Sequence, residues 1–323
     1  MPCTTLDFCN APGICTHVFQ EVVSERLNRP PFPAKSFRAM RRLQTLLTLA
    51  RASNLPTVWS NCLAGWWLGG HGNVRNLPFL FAGATFLYAG GTYLNDAFDV
   101  EFDRQKRKER PIPSGAISFA AVVKLGLLWL ALGLASLFWI SLTTGALGVV
   151  LVACIVIYDA IHKVITFSPL LKGTCRFFIY VVAASVASDG VTGWSVWCGL
   201  ALAAYIVGLS FIARRESARG PVERWPLILL AAPVVLAYLM NAAPDYRKSA
   251  SWLSLVLVLW LLRCLRPVLW PTGQHVGRVV SGLLAGIVFV DWLAVVDVPR
   301  GLSLVFLALF GLALLLQRFV PAT

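Results

Sequence analysis

The stretch Tyr93-Leu-Asn-Asp-Ala-Phe-Asp-Val-Glu-Phe-Asp-Arg104 closes an apolar run that begins near Pro78. Wound as a helix at about 100° per residue, Asn95, Asp96, Asp99 and Asp103 share one arc of roughly 100°, while Glu101 projects from the other side. Three carboxylates and an amide on one face repel one another unless a cation sits among them. At the end of a soluble helix, solvent and the neighbouring Arg104, Lys106 and Arg107 would relieve that repulsion. Here the acids follow directly on an apolar segment, and ionisable groups at such depth are costly and tend to be functional. Oxygen-only donors suit Mg2+, which takes one or two carboxylates and completes its shell with phosphate oxygens and water.

Working outward, the same apolar character recurs along the chain. Hydrophobic residues make up 58% of the 323 positions and charged residues 13%, against about 25% charged in a soluble domain. There is too little polar surface to cover a water-facing globule. Apolar runs predict ten membrane segments near residues 54–70, 78–95, 118–140, 143–161, 170–188, 194–213, 226–241, 250–266, 279–297 and 301–319. With the N-terminus in the cytoplasm, only four of the 28 Lys and Arg (Arg75, Arg247, Lys248 and Arg300) fall on the opposite side.

The net charge of +13 therefore reflects short basic clusters between apolar runs, facing anionic headgroups, and nucleic acid is not an expected partner. Five of the eight cysteines (Cys62, Cys154, Cys175, Cys198 and Cys264) sit in or beside apolar segments, where cysteine behaves as a small hydrophobe. Residues 1–42 lack the apolar core of a signal peptide and read as a disordered cytoplasmic leader, ahead of a membrane domain over 43–323.

Downstream of the acidic stretch, Lys106, Arg107, Lys108 and Arg110 supply cations, and Arg110-Pro-Ile-Pro-Ser-Gly115 makes a stiff turn into the next span. A divalent metal, a polyanion and basic side chains form one consistent set. Both halves of this region resemble the first signature of the UbiA superfamily of membrane prenyltransferases, an NDxxDxxxD pattern followed by RPxPSG. Arg51-Ala-Ser-Asn-Leu-Pro-Thr57, with Asn61 beyond it, is similar to the family's opening.

The resemblance implies an all-α, multi-pass transmembrane bundle of nine to ten helices around a lateral apolar cavity. It implies Mg2+-dependent transfer of a prenyl group from a polyprenyl diphosphate to an aromatic or other lipophilic acceptor, in contact with membrane lipid. Asp96, Asp99 and Asp103 take the catalytic positions and, with Asn95, the metal positions. Asn95, Arg104, Arg110, Lys163, Arg176 and Arg215 are the expected diphosphate contacts.

One departure matters. The family's second motif normally offers aspartates four residues apart, whereas Ala213-Arg-Arg-Glu-Ser-Ala-Arg-Gly220 has Glu216 as its only acid. Glu216 is the remaining candidate metal ligand there, and Arg214, Arg215 or Arg219 can neutralise phosphate directly, since guanidinium binds it bidentately. The degenerate motif leaves open a second reading, a non-catalytic carrier or transporter that binds prenyl diphosphate on the same bundle. A CDP-alcohol phosphotransferase is disfavoured, because its DG and AR elements are missing. Asp291, deep in the ninth segment, is the most isolated charge and reads either as catalytic or as a hydrogen-bonded structural group.

Overall fold

The computed structural model describes residues 34–214, 225–239, 244–269 and 276–322. The chain divides into two compact units, Met1–Gln44 and Thr45–Thr323. Helix α1, Ala34–Leu49, begins inside the segment read from sequence as leader. The described part of the larger unit is all-helical. Its elements are α2 (Leu55–Leu68), α3 (Leu77–Phe98), α4 (Val100–Lys106), α5 (Phe119–Ile140), α6 (Leu142–Ile161), α7 (Ser168–Ala184), α8 (Gly193–Arg214), α9 (Trp225–Leu230), α10 (Ala232–Leu239), α11 (Pro244–Leu269), α12 (Val276–Ala294) and α13 (Arg300–Leu316).

The described residues of all ten apolar segments are largely helical, but the seventh is broken into α9 and α10 at Ala231. Pro233, at the second position of α10, has no N–H to donate into the preceding turn, which favours a break there. Among the described residues, six helices are long and apolar enough to cross a bilayer: α3, α5, α6, α8, α11 and α12. The protein is an integral membrane protein. Pro56, Pro78 and Pro169 occupy first-turn positions of α2, α3 and α7, where a missing N–H costs nothing. Ser118 and Ser141 accept from the backbone N–H groups of Ala121 and Thr144 and so start α5 and α6.

Between apolar helices in lipid there is little hydrophobic drive, so close packing of small residues does the work. Gly83 and Gly90 on α3 face Gly133 and Gly126 on α5. A Cβ at Gly90 would stand 2.9 Å from the Gly126 carbonyl oxygen, and one at Gly133 would stand 2.6 Å from Leu87 Cδ2. This seam fixes the helix whose far end carries the acidic stretch. The neighbouring Gly91 has a different duty: it lines a cavity, and a Cβ there would meet Ile155 Cγ2 at 2.8 Å. The two adjacent glycines thus divide the two roles open to them, helix packing and ligand space.

On the other side of the bundle, Gly65 and Gly69 bring α2 against α7, with added Cβ atoms 2.7 Å from the Tyr180 carbonyl oxygen and 2.6 Å from that of Ala184. Backbone cannot retreat as a flexible side chain can, so Gly65→Leu should destabilise the bundle by about 1–3 kcal/mol or more. Gly311 on α13 has nothing within 4 Å of an added Cβ. Thermal unfolding in detergent should show a clear drop for Gly65→Leu and none for Gly311→Leu.

Candidate active site

The acidic stretch keeps its helical register across the junction of α3 and α4. The Asp99 N–H donates to the Asn95 carbonyl and the Asp103 N–H to the Asp99 carbonyl, each at 2.9 Å. Asn95, Asp96 and Asp103 are buried and Asp99 is half-buried. What answers their charge comes from three distant parts of the chain. Arg51 sits in a left-handed backbone conformation (φ 43°, ψ 49°) between α1 and a 3-10 turn at Ala52–Asn54. That conformation is costly for a residue with a Cβ, and it persists where surroundings over-determine it. Here it accompanies a guanidinium that donates to Asn95 Oδ1 (2.9 Å) and Asp96 Oδ1 (3.2 Å).

Arg110, from the Pro-rich turn after α4, brings Nη1 to 3.6 Å from Asp96 Oδ1. The end of α6 supplies the rest. Lys163 Nζ lies 2.7 Å and His162 Nε2 3.2 Å from Asp99 Oδ1, and Lys163 also covers the Phe102 ring at 4.2 Å. Asn95 completes the circuit by donating Nδ2 to Asp159 Oδ1 at 3.1 Å.

These contacts set the local electrostatics. Burial alone would push the Asp99 carboxyl up, but the close approach of His162 and Lys163 outweighs it and holds the pKa below the ordinary value. Asp103 has no such partner; burial raises it, Arg110 opposes, and the Asp99 and Asp96 charges add to the rise. Burial and the nearby Arg51 charge lower Arg110. For Arg51, burial works against the charged form, but the Asp96 carboxylate overcomes it and the pKa is raised.

A cavity of about 340 Å3 opens beside the acidic stretch. Its lining combines apolar side chains, Leu87, Leu151, Ile179 and Leu284, with basic ones, Arg51, Arg107, Arg110, Lys172 and Arg176. Tyr88 and Tyr158 also line it. Of the four oxygen donors expected from sequence, Asn95 forms part of the cavity wall. Asp96, Asp99 and Asp103 lie along the same helical face but not on the wall itself.

Among the described residues, no three of His, Cys, Asp and Glu close around a preformed metal position. The donor set nevertheless fits Mg2+. Asp96 Oδ2 and Asp159 Oδ2 are buried carboxylate oxygens without a hydrogen-bond partner, and buried polar atoms are rarely left so. An ion that needs only one or two carboxylates and takes phosphate oxygens for the remainder matches that arrangement.

Not every expected residue joins the group. Arg110 and Arg176 line the cavity, and Lys163 reaches the acidic stretch through Asp99. Arg104 does not: it is exposed and pairs with Glu101 at 3.4 Å, on the face turned away from the aspartates. Arg215 and Glu216 lie outside the described residues. Arg214, one of the arginines expected to meet phosphate, does line the cavity, but its guanidinium is engaged by protein. It donates to Ser168 Oγ (2.5 Å), the carbonyls of Ile165 (3.1 Å) and His162 (3.3 Å), and that of Thr166, clamping the α6–α7 loop.

Sequence reasoning missed Arg51, Asp159, His162 and Lys172 as site residues. The available signal was Tyr158-Asp-Ala-Ile-His-Lys163, an acid and two bases at the end of an apolar helix.

Comparison with known proteins bears on the same region. Residues 53–300 match the UbiA prenyltransferase family. A digeranylgeranylglyceryl phosphate synthase from Ignicoccus hospitalis is 42% identical over 92 residues, 28% of this chain and 30% of that protein. A 4-hydroxybenzoate geranyltransferase 1 from Lithospermum erythrorhizon is 34% identical over 119 residues, 34% of this chain and 35% of that protein. The chain thus aligns with about a third of the length of the curated relatives it matches. The apo structure of a UbiA homologue from Aeropyrum pernix superposes with a TM-score of 0.59 at 16% identity, covering 76% of this chain and 97% of that one, and so shares its fold. With the family match spanning most of the membrane domain, the chain belongs to the UbiA prenyltransferase family.

Proposed function

We propose that the protein is a prenyltransferase that works within the membrane, moving a prenyl group from a polyprenyl diphosphate to an aromatic or other lipophilic acceptor. One observation carries this reading: an otherwise apolar cavity is lined by basic side chains and by Asn95 and Asp159, beside the buried acidic stretch, and Asp96 and Asp159 each keep a carboxylate oxygen without a partner. The diphosphate belongs near Asn95, Arg51, Arg110, Lys172 and Arg176, with Lys163 and Arg215 as further contacts. The prenyl chain belongs among Leu87, Leu151, Ile179 and Leu284. Asn95, Asp96, Asp99 and Asp103, with Glu216 as a further ligand, would hold Mg2+, which would supply positive charge against the leaving diphosphate.

The chain's own residues do the remainder. As the allylic C–O bond breaks, its electron pair leaves with the diphosphate, and Arg51, Arg110 and Lys172 stabilise the growing negative charge in a site of low dielectric. The allylic fragment left behind is cation-like. Apolar walls keep water from it, and the faces of Tyr88 and Tyr158 offer electron density to it. The acceptor then attacks from within the bundle. The excess of Lys and Arg on one side of the membrane supports a cytoplasmic N-terminus and a cytoplasmic acidic stretch, with residues 43–323 as the catalytic membrane domain.

Asp96→Ala and Asp99→Ala should each lower Mg2+-dependent prenyl transfer by at least about a hundredfold while the protein still elutes as a folded species. Arg104→Ala should leave transfer unchanged. Incubation of purified protein with labelled geranylgeranyl diphosphate, Mg2+ and a membrane extract checks this. Tight binding without any prenylated product from the wild type would point instead to the carrier reading.

Arg214 acts on this site through the loop it clamps. Removing it strips donors from the carbonyls of His162, Ile165 and Thr166. Arg214→Ala should therefore speed amide hydrogen exchange over residues 162–168 and raise the KM for the diphosphate more than it lowers kcat, as mass-spectrometric exchange and kinetics would register.

A further inference from the structure

Asp291 is fully buried in the last turn of α12 and is not part of the cavity wall. An uncompensated carboxylate there would be expensive, and its partners show how it is answered. Ser60 Oγ donates to Oδ2 at 2.5 Å, Asn61 Nδ2 to the same oxygen at 2.7 Å, and Tyr180 OH to Oδ1 at 2.6 Å. Asn61 can only donate to Asp291, and the Ser60 and Tyr180 hydroxyls can donate too, so the three contacts can all serve a carboxylate.

The orientation of Asn61 is fixed by what lies on its other side. Its Oδ1 accepts from Arg176 Nη1 at 2.6 Å. A guanidinium can only donate, so the amide oxygen must face Arg176 and the amide N–H2 must face Asp291. Arg176 is held further by Thr57, whose carbonyl accepts from Nη1 (3.2 Å) and whose hydroxyl accepts from Nη2 (3.1 Å). Three helices contribute with helical spacing: Thr57, Ser60 and Asn61 from α2, Arg176 and Tyr180 from α7, and Asp291 from α12.

These contacts consume three of the five guanidinium N–H groups. The Arg176 side chain is itself buried, lies 5.7 Å above the Tyr88 ring, and forms part of the cavity wall. No salt bridge to Arg176 occurs among the described residues; the nearest compensation runs through the Asn61 amide.

We infer that Asp291 is a positioning residue for the prenyl-diphosphate site: acting through Asn61, it balances the Arg176 charge and fixes the guanidinium so that its remaining N–H groups serve the diphosphate. The inference rests on the proposed function, and it joins two groups that sequence leaves separate. Asp291 touches no substrate. Its effect reaches the cavity as the aim and charge balance of Arg176.

The test uses the full-length protein in detergent and measures equilibrium binding of geranylgeranyl diphosphate with Mg2+. Asp291→Asn should weaken binding on the order of tenfold, the scale of a lost hydrogen bond to a charged group. In an Arg176→Met background the same substitution should add nothing. Moving the carboxylate one step along the relay, with Asn61→Asp and Asp291→Asn together, should restore wild-type affinity. The new amide at 291 can donate toward position 61 and accept from Tyr180, while the single Ser60 hydroxyl hydrogen can turn to the Thr57 carbonyl 3.1 Å away.

A merely structural role would lower thermal stability without this pattern. Wild-type affinity in Asp291→Asn, an undiminished further loss in the Arg176→Met background, or failure of the relocated pair to bind would each overturn the inference. Should Asp291→Asn fail to fold, the relocated pair alone decides. A wild-type protein that binds no diphosphate would instead sink the proposed function.

Discussion

Arg51, turned inward by a left-handed backbone, meets Asn95 and Asp96 at 2.9 and 3.2 Å, and much of the site depends on that contact. Asp96 is almost completely buried, and its other close cation, Arg110, stands farther off at 3.6 Å. Without Arg51 the end of α3 would hold negative charge in an apolar bundle with little to answer it. With Arg51 in place, one Asp96 oxygen is satisfied and the other remains free. The same contact ties the start of α2 to the end of α3, so the two helices are joined by charge as well as by packing.

A second charge balance lies deeper. Arg176 and Asp291 never touch, yet Asn61 links them with one bond to each. Both balances follow the same rule: in a bundle with few polar groups, these buried charges are met by oppositely charged or strongly hydrogen-bonding groups, and Arg51 and Arg176 also line the cavity. The glycine seams on α2, α3 and α5 allow backbones to approach closely enough for short side chains such as Ser60 and Asn61 to complete these links. Packing and chemistry are therefore one problem here, since spreading the helices would uncouple the ion pairs.

Sequence reading recovered what is local and periodic. The common face of Asn95, Asp96, Asp99 and Asp103 follows from helical spacing alone, and the ten apolar segments follow from length and hydropathy. It failed where position depends on distant chain. Arg104 sits next to the acids in sequence, but an i,i+3 partner, Glu101, draws it to the opposite face. Arg51 is 44 residues from Asn95, Arg176 is 115 from Asn61, and Asp291 is 230 from Asn61, and no period connects them. The split of the seventh segment was legible in Pro233, which falls inside the apolar run and in the structure stands in the first turn of α10. Arg214 could not have been assigned by composition, because a basic residue near a phosphate site and one that clamps carbonyls look alike in sequence.

The account stands on the acidic face of α3 and α4 holding a divalent ion against a diphosphate in the cavity. Anomalous scattering from Mn2+ in crystals grown with geranylgeranyl thiodiphosphate measures this directly. An anomalous peak about 2.1 Å from an Asp96 or Asp99 oxygen, with the diphosphate between it and Arg110, is the expected result. A peak remote from these carboxylates, or a prenyl chain lying outside the cavity lined by Leu87 and Ile179, would contradict the account.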